Sequence, residues 1–313
     1  MCKPLISFII PVGNFNEYLN DAIGSIIDLL EHNIKIEILI IFDKGLKKVE
    51  SKFFELDFVN YYFNNSNFSG PGISRNIGIE KSKGKYLSFL DSDDILIGEN
   101  FIKVLDKLIR NKNDLIEFDY ETFGAKKTFH NRKNELKSYN KDIPSKLLLR
   151  GELRDEVLFQ IYKKSYITIK NIKFPEGIYE DIYFRFMTLN NSKNISTSNL
   201  IAYKKRVHDK SITSNNKKKY YLEQYIWQIS NIKNKFIHKK DIQSAIKYRM
   251  VAFAGLLAKD IMTSNIDKKN IMIFSKIFKD VCYKWELYDL KNKSINLTER
   301  ESLIKKLLNQ NNN

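Results

Sequence analysis

Cysteine is nearly missing from this 313-residue chain, which has only Cys2 and Cys282, almost at opposite ends. That excludes a disulfide framework, leaves no C-x-x-C metal spacing, and makes a reducing cytoplasm the expected location. Long hydrophobic runs are missing too. No stretch supplies the roughly 18 apolar residues that a membrane-crossing helix needs. The apolar start, Leu5-Ile-Ser-Phe-Ile-Ile10, is cut by Pro11 and is too short for a signal peptide. Asn-x-Ser/Thr matches such as Asn194 to Ser196 therefore carry little weight as glycan acceptors. A dinucleotide fingerprint is lacking as well, because Gly70-Pro-Gly-Ile-Ser-Arg75 has no third glycine and stands too far into the chain.

What is present is a 43% hydrophobic composition, enough for one large α/β domain and a smaller appendage. The net charge is +16, and it is unevenly placed. Residues 201–313 hold 24 Lys and Arg against 10 Asp and Glu, or +14, leaving +2 for the first 200. Such asymmetry points to contact with anionic lipid, nucleic acid or a phosphorylated acceptor, unless the lysines merely solvate helix faces.

Apolar β-type runs predict strands at Ile6–Val12, Ile36–Phe42, Val59–Phe63, Tyr86–Leu90 and Leu115–Tyr120. Between the first two, Leu19, Ala22, Ile23, Ile26, Ile27 and Leu30 fall at helical spacing, with Asn14 and Glu17 as the capping signal. Further helices are expected to start near Pro71 and to run over Glu99–Arg110. This alternation predicts a mostly parallel sheet flanked by helices. Residues 121–150 read as polar and irregular, followed by Val157–Tyr162 and the Phe174-Pro-Glu-Gly177 turn. Beyond Ser214, helical periodicities occupy about 217–237, 241–264 and 268–289, Thr298 and Glu301 form a capping box, and Asn309–Asn313 is a frayed tail.

The sharpest feature is Tyr86-Leu-Ser-Phe-Leu90 followed by Asp91-Ser-Asp-Asp94, a strand that delivers three carboxylates within four residues. Ligands bind beyond the carboxyl ends of strands in open α/β sheets. Clustered carboxylates repel one another unless a cation lies between them, and Mg²⁺ or Mn²⁺ completed by substrate phosphates fits such a site. An EF-hand would need Gly and Glu where Leu96 and Ile102 stand, which excludes it. A phosphohydrolase with an Asp-x-Asp nucleophile, or a helix N-cap cluster before Glu99, stays open on these residues alone.

The stretch from Asn64 to Gly84, continued through the strand to Asp94, resembles the donor-binding core of family 2 glycosyltransferases. Ser7-Phe-Ile-Ile-Pro-Val12 with Asn14 and Glu17, and Glu37-Ile-Leu-Ile-Ile-Phe-Asp43, look like the family's first two strands. Tyr179-Glu-Asp-Ile-Tyr-Phe184 and Arg206-Val-His-Asp-Lys-Ser-Ile-Thr213 resemble its catalytic and pyrophosphate-closing motifs, so the likeness covers about residues 4–214. The chain departs from the family at Gly13, where an aromatic is usual, and at Asp43-Lys-Gly-Leu46, where Asp-Asp-Gly-Ser is usual. Aligned on the strand, Asp43 takes the place of the uracil-contacting acid; aligned on Gly45, the frame shifts.

The resemblance implies a GT-A fold with a donor half at 1–120, an acceptor and catalytic half at 121–214 and a basic helical region at 215–313. It implies an inverting, metal-dependent transfer from a nucleotide-diphosphate sugar, a UDP-sugar, to a glycan or lipid-linked acceptor in bacterial surface-polysaccharide synthesis. Pro11, Val12, Glu17, Asp43, Arg75, Asp91, Ser92, Arg206 and Ser211 are then the donor-binding candidates. Asp93 and His208 are the candidate ligands of Mn²⁺ or Mg²⁺, and Asp91 contacts the ribose or a metal-bound water. A planar guanidinium at Arg75 suits bidentate recognition of donor phosphate or base. Asp181 is the candidate base for the acceptor hydroxyl, with Glu180 holding the acceptor or orienting the base. An extended segment would put Glu180 and Asp181 on opposite faces, whereas a helix start would make them first-turn carboxylates answering the dipole.

Helices bearing Tyr220, Tyr225, Trp227 and Tyr283 among lysines can lie on an anionic membrane from the cytoplasmic side, or pack on one another. A nucleic-acid-binding module is the rival class, and against it the lysines form no nucleic-acid motif, so no such partner is expected.

Overall fold

A computed structural model describes residues 3–14, 17–130, 144–208, 219–262 and 268–285. The elements run β1 (Ile6–Val12), α1 (Leu19–Ile27), β2 (Ile36–Phe42), β3 (Val59–Phe63), α2 (Pro71–Lys81), β4 (Tyr86–Phe89), β5 (Ile95–Leu96) and α3 (Gly98–Arg110). They continue with β6 (Leu115–Gly124), β7 (Thr128–His130), α4 (Pro144–Leu149), β8 (Gln160–Lys163), α5 (Lys164–Ile169), α6 (Glu180–Asn191) and β9 (Ile195–Val207). Helices α7 (Lys219–Lys235), α8 (Lys240–Met262) and α9 (Lys268–Lys284) follow. Two compact units result, one of residues 1–145 and 154–214, the other of 146–153 and 215–313.

The first unit holds one sheet in the order β3-β2-β1-β4-β8-β6-β9-β5, with β7 paired to β6. Strands β1 to β4 are parallel neighbours, β8 runs antiparallel between β4 and β6, and β6 and β9 are parallel. Strands β1 and β2 are buried along their whole length, which explains why both read as near-continuous apolar runs. Their polar exceptions satisfy each other: Ser7 Oγ donates to Glu37 Oε2 at 2.6 Å, and Glu37 also takes the Lys83 N–H at 2.8 Å.

The chain steps from β1 outward to β2 and β3, then returns to the other side of β1 as β4. That reversal opens a crevice beyond the carboxyl ends of β1 and β4, where an open α/β sheet binds its ligand. Pro11 belongs to this opening. The Ile9 carbonyl accepts the Leu90 N–H at 3.1 Å, so Pro11, two residues on, faces the same side past the last β1–β4 pair, Ile9 with Phe89. Its missing N–H therefore removes no ladder bond. Helix α2 packs closely over β1 because residue 78 is glycine: a Cβ there would lie 2.3 Å from Ile9 Cγ2.

Several expectations are corrected. Helix α1 starts at Leu19 with no side-chain cap, so the Asn14 and Glu17 signal does not mark its first turn. Its apolar stripe ends at Ile26, and Leu30 falls in a 3₁₀ turn over Asp28–His32 with 38% of its surface exposed. The stretch expected to be irregular carries the end of β6, then β7 and α4. The apolar run at Val157–Tyr162, for which the sequence named no element, forms a 3₁₀ turn over Val157–Phe159 and then β8. The capping box at Thr298 and the tail at Asn309 lie outside the described residues.

In the second unit Leu222, Ile229, Ile232, Ile246, Met250 and Phe278 are buried among the helices. Arg249 ties α4 to α7 by donating to the Leu148 carbonyl at 2.9 Å and to Tyr225 Oη at 2.7 Å. Among the described residues no helix is long and apolar enough to cross a membrane.

Candidate active site

Buried strand β4 ends at Phe89, and the chain turns through Asp91–Asp94, where the Asp94 N–H bonds the Asp91 carbonyl at 3.1 Å. The three carboxylates of this turn then part in function. Asp94 is 2% exposed and accepts Tyr203 Oη at 2.6 Å and the Arg206 N–H at 2.7 Å, which fastens the turn to β9. Asp93 meets His208 Nε2 at 2.7 Å. Asp91 turns the other way, to Arg75 Nη2 at 3.0 Å. Ser92 is buried between them.

Oxygens of Asp91, Asp93 and Asp94 lie within 4.8 Å of one another. Burial, and then the Asp91 charge, raises the carboxyl pKa of both Asp93 and Asp94. A cation between them would offset that repulsion, and a donor set of carboxylate oxygens with one imidazole fits Mn²⁺ or Mg²⁺. Asp91, Asp93 and Asp94 form the cluster that could hold it, with His208 beside Asp93.

Arg75 lies on α2 with 4% of its side chain exposed. Besides Asp91, it meets Glu180 Oε1 and Asp181 Oδ1, each at 3.0 Å from Nη1. Burial alone would lower the Arg75 pKa, but the charges of Asp181, Asp91 and Glu180 hold it above its ordinary value. One guanidinium cannot balance three carboxylates. Burial and the neighbouring Asp181 accordingly push Glu180 up to about 8, while Asp181, raised by burial but restrained by Arg75 and the Val157 N–H at 3.2 Å, rises only to about 6. Near neutral pH the coupled pair therefore retains a proton that isolated carboxylates would have lost.

Glu180 and Asp181 open α6, directly after Tyr179 in the left-handed region at φ 60°. The extended reading, with the two on opposite faces, is thereby corrected: both reach the same guanidinium. Residue 72, in the first turn of α2, must be glycine for this to happen, since a Cβ there would stand 2.6 Å from Glu180 Cγ. One turn further along α6, Arg185 is wholly buried against Glu117 of β6, which also takes Gln160 Nε2 at 3.3 Å. This buried pair fixes the helix that carries Asp181.

The donor-side candidates are less tightly grouped. Pro11 and Val12 end β1 at the crevice. Asp43, just past β2, takes the Asn64 amide and the Gly70 N–H, both at 2.9 Å, and so holds the loop that leads into α2. Glu17 is exposed ahead of α1. The Arg206 guanidinium stacks 3.7 Å over Tyr18 and 4.5 Å from Phe123, with Nη2 3.2 Å from Asp21 and Nε on the Asp93 carbonyl at 2.8 Å. Ser211 lies outside the described residues.

Tyr18, Asp21, Glu156, Tyr203 and Lys205 were not foreseen. Burial lowers the Lys205 pKa, but Glu156, Asp94 and Asp91 raise it further, so this lysine is held charged beside the cluster. The available signal was the alternation of Tyr203 and Lys205 along β9, a strand whose polar start, Ile195-Ser-Thr-Ser-Asn199, hides it.

The sequence profile described as Glycosyl transferase family 2 matches residues 7–167, over half of the chain. An uncharacterized glycosyltransferase of Haemophilus influenzae is 31% identical over 188 residues, covering 59% of this chain and 71% of that protein. A poly(ribitol-phosphate) beta-glucosyltransferase of Bacillus spizizenii is 28% identical over 211 residues, 62% of this chain but only 31% of that protein. Among solved structures, S. aureus TarS 1-349 in complex with UDP-GlcNAc superposes with a TM-score of 0.70 at 15% identity, covering 90% of this chain and 82% of that one. The sheet and its flanking helices have the GT-A fold. Because the matched span runs from β1 through Arg75 and the acidic turn to β8, the chain belongs to glycosyl transferase family 2.

Proposed function

We propose that this chain transfers a sugar, with inversion, from a UDP-sugar to a glycan or lipid-linked acceptor in bacterial surface-polysaccharide synthesis. The observation that carries this reading is the convergence of Asp91, Glu180 and Asp181 on Arg75 at the crevice, beside the Asp93–His208 pair. A displacement that inverts the anomeric carbon needs a base opposite the leaving diphosphate, and Asp181 is the more acidic member of the coupled pair. The proton that the pair retains can then be donated to an acceptor oxygen. Arg75 positions all three carboxylates; with its fork engaged by them, it acts on the donor through Asp91 rather than by direct contact. When bound at Asp93 and His208, Mn²⁺ or Mg²⁺ supplies positive charge against the leaving diphosphate. Arg206, set between aromatic rings, braces Asp93 from behind.

Residues 1–120 serve as the donor half, 121–214 as the acceptor half and 215–313 as a basic region that associates peripherally with the cytoplasmic face of the membrane. The UDP-GlcNAc and UDP held by TarS structures support a uridine donor, and the poly(ribitol-phosphate) enzyme supports a cell-surface acceptor. Family membership favours sugar transfer over the phosphohydrolase alternative, and the same cluster has Asp91 held by Arg75 rather than free to attack phosphorus.

Thermal-shift screening of UDP-, GDP-, CDP- and dTDP-sugars with Mn²⁺ tests the donor, since a ligand bound only by the folded state raises the melting temperature. Asp181→Asn should keep the UDP-sugar shift while losing transfer. Unaltered turnover in that variant would remove Asp181 as the base, and full chelator-insensitive transfer by Asp93→Ala would remove the metal.

A further inference from the structure

At the amino-terminal edge of the sheet, opposite the crevice, lies an open cavity of about 810 Å³. Four separate chain segments wall it: the approach to β1, the approach to β2, the approach to β4, and the junction of β8 with α5. Six of its thirteen lining residues are lysine: Lys3, Lys35, Lys83, Lys85, Lys163 and Lys164. None is acidic. This is a marked local excess, because the first 200 residues carry a net charge of only +2.

Two nearby carboxylates relieve it only in part, Glu37 at Lys164 and Asp114 at Lys163. Glu37 is buried and occupied by Ser7 Oγ and the Lys83 N–H, and Asp114 reaches Lys163 only at 3.9 Å. Lys164 donates to the Ser82 carbonyl, which holds its stem along the wall, and burial lowers its pKa. The strand approaches themselves are closed by backbone bonds, Leu5 N–H to Lys35 O at 2.8 Å and Lys164 N–H to Lys85 O at 3.0 Å, so the lysines project from a fixed rim. Like charges around one hollow repel, and a concave wall focuses their field inward, an arrangement that favours a bound polyanion.

We propose that this cavity is a second binding site, distinct from the catalytic crevice, for an anion bearing several phosphate groups. Ammonium groups act as point charges toward phosphate, and six of them exceed what one monophosphate can neutralise. The walls offer Ser165 and Thr168 hydroxyls and lysine stems but no aromatic ring to stack a base, so the phosphates and not a nucleoside are recognised. Such an anion can come as a free oligophosphate or as the headgroups of anionic lipid.

Lysine acetylation read by mass spectrometry locates the site on the full chain, with EDTA present so that metal-assisted phosphate binding at Asp93 does not contribute. Inorganic tripolyphosphate at physiological ionic strength should slow acetylation of Lys35, Lys83 and Lys85 several-fold more than that of lysines elsewhere. Each basic residue near an anionic surface strengthens binding about fivefold, so Lys35→Glu/Lys83→Glu/Lys85→Glu should weaken tripolyphosphate binding by about a hundredfold or more. The Lys→Gln triple variant should lose less. Neither variant should lower the melting temperature or change the UDP-sugar shift, which separates this site from the donor site. Protection by tripolyphosphate but not by phosphatidylglycerol vesicles supports a free anion; protection by the vesicles supports the lipid source. Protection by neither, or equal protection of lysines over the whole chain, overturns the proposal, as does wild-type binding by the charge-reversed variant.

Discussion

The Arg75 side chain holds a greater electrostatic load than any single residue around it. Its two terminal nitrogens serve Asp91, Glu180 and Asp181, contributed by two segments, the turn after β4 and the start of α6. Removing one partner of a buried ion pair costs about 3–5 kcal/mol, so Arg75→Ala is expected to lower the unfolding free energy by about that much in urea titrations. Arg75→Lys should restore little, because one ammonium cannot reproduce the planar fork. Titration of the same group gives a second expectation. Folded Asp181 and Glu180 have pKa values raised to about 6 and about 8, so the folded state binds protons that the unfolded state releases near pH 4. Their contribution is fully favourable below pH 4 and is lost as pH rises through 6 and then 8. The melting temperature of the wild type should therefore fall over that window more than that of Asp181→Asn/Glu180→Gln. Transfer should instead rise with a midpoint near pH 6, as Asp181 becomes a base.

At the scale of elements, α6 is held to β6 by the Arg185–Glu117 pair, with both side chains essentially dry. Arg185→Ala leaves the buried Glu117 carboxylate with only the more distant Arg154, 3.9 Å away, and a loss of about 3–5 kcal/mol is expected by denaturant unfolding. Gly72→Ala acts at the other end of α6. Its Cβ would press on Glu180 Cγ at 2.6 Å and on Phe174 Cβ at 3.1 Å, so overpacking should cost about 1–3 kcal/mol and displace the acid pair. The assay that separates the two variants is transfer per folded molecule, which should fall for Gly72→Ala even where the protein is fully folded.

These elements also show what the sequence could and could not reveal. Strands β1 and β2 were legible to the residue because burial on both faces writes an apolar run with clear ends, and the half-exposed β3 because Val59, Tyr61, Tyr62 and Phe63 are β-branched or aromatic. Strand β9 was not, since its 13 residues mix Ser, Thr, Asn and Lys, and its pairing with β6 is set by partners about 80 residues away. The site divides in the same way. The acidic turn, Arg75, the Glu180–Asp181 pair and His208 each stand in a local motif. Their meeting at one guanidinium spans separations of 105 and 106 residues, which no periodicity records. The start of α6 was left undecided because Gly177-Ile-Tyr-Glu180 carries no capping side chain; positive φ at Tyr179 begins the helix instead. The lysine cavity was invisible for the same reason, its charges arriving singly from four segments.

At the scale of the whole chain, charge is sorted into two populations with different chemistry. In the first unit six lysines line one hollow, whereas the sequence beyond residue 200 carries an excess of +14, part of it on α7, α8 and α9. Helix α9 shows how that second population is arranged. Lys276, Lys279, Tyr283 and Lys284 are all exposed and recur at helical spacing on one face, with Tyr283 79% exposed, while Ile277, Phe278 and Val281 are buried on the other. A basic face with an exposed aromatic suits the surface of an anionic bilayer, each lysine adding about 1 kcal/mol to the attraction. Asp280, also exposed on α9, opposes it by one charge. The full chain should sediment with vesicles containing phosphatidylglycerol at low salt, stay in solution with phosphatidylcholine alone, and be released as salt shortens the screening length. Lys276→Glu/Lys279→Glu/Lys284→Glu should weaken that sedimentation by about two orders of magnitude. The same substitutions should leave tripolyphosphate protection of Lys35, Lys83 and Lys85 unchanged. Sedimentation that survives both the charge reversal and high salt would instead assign membrane contact to apolar burial, and the α9 face would then have no part in it.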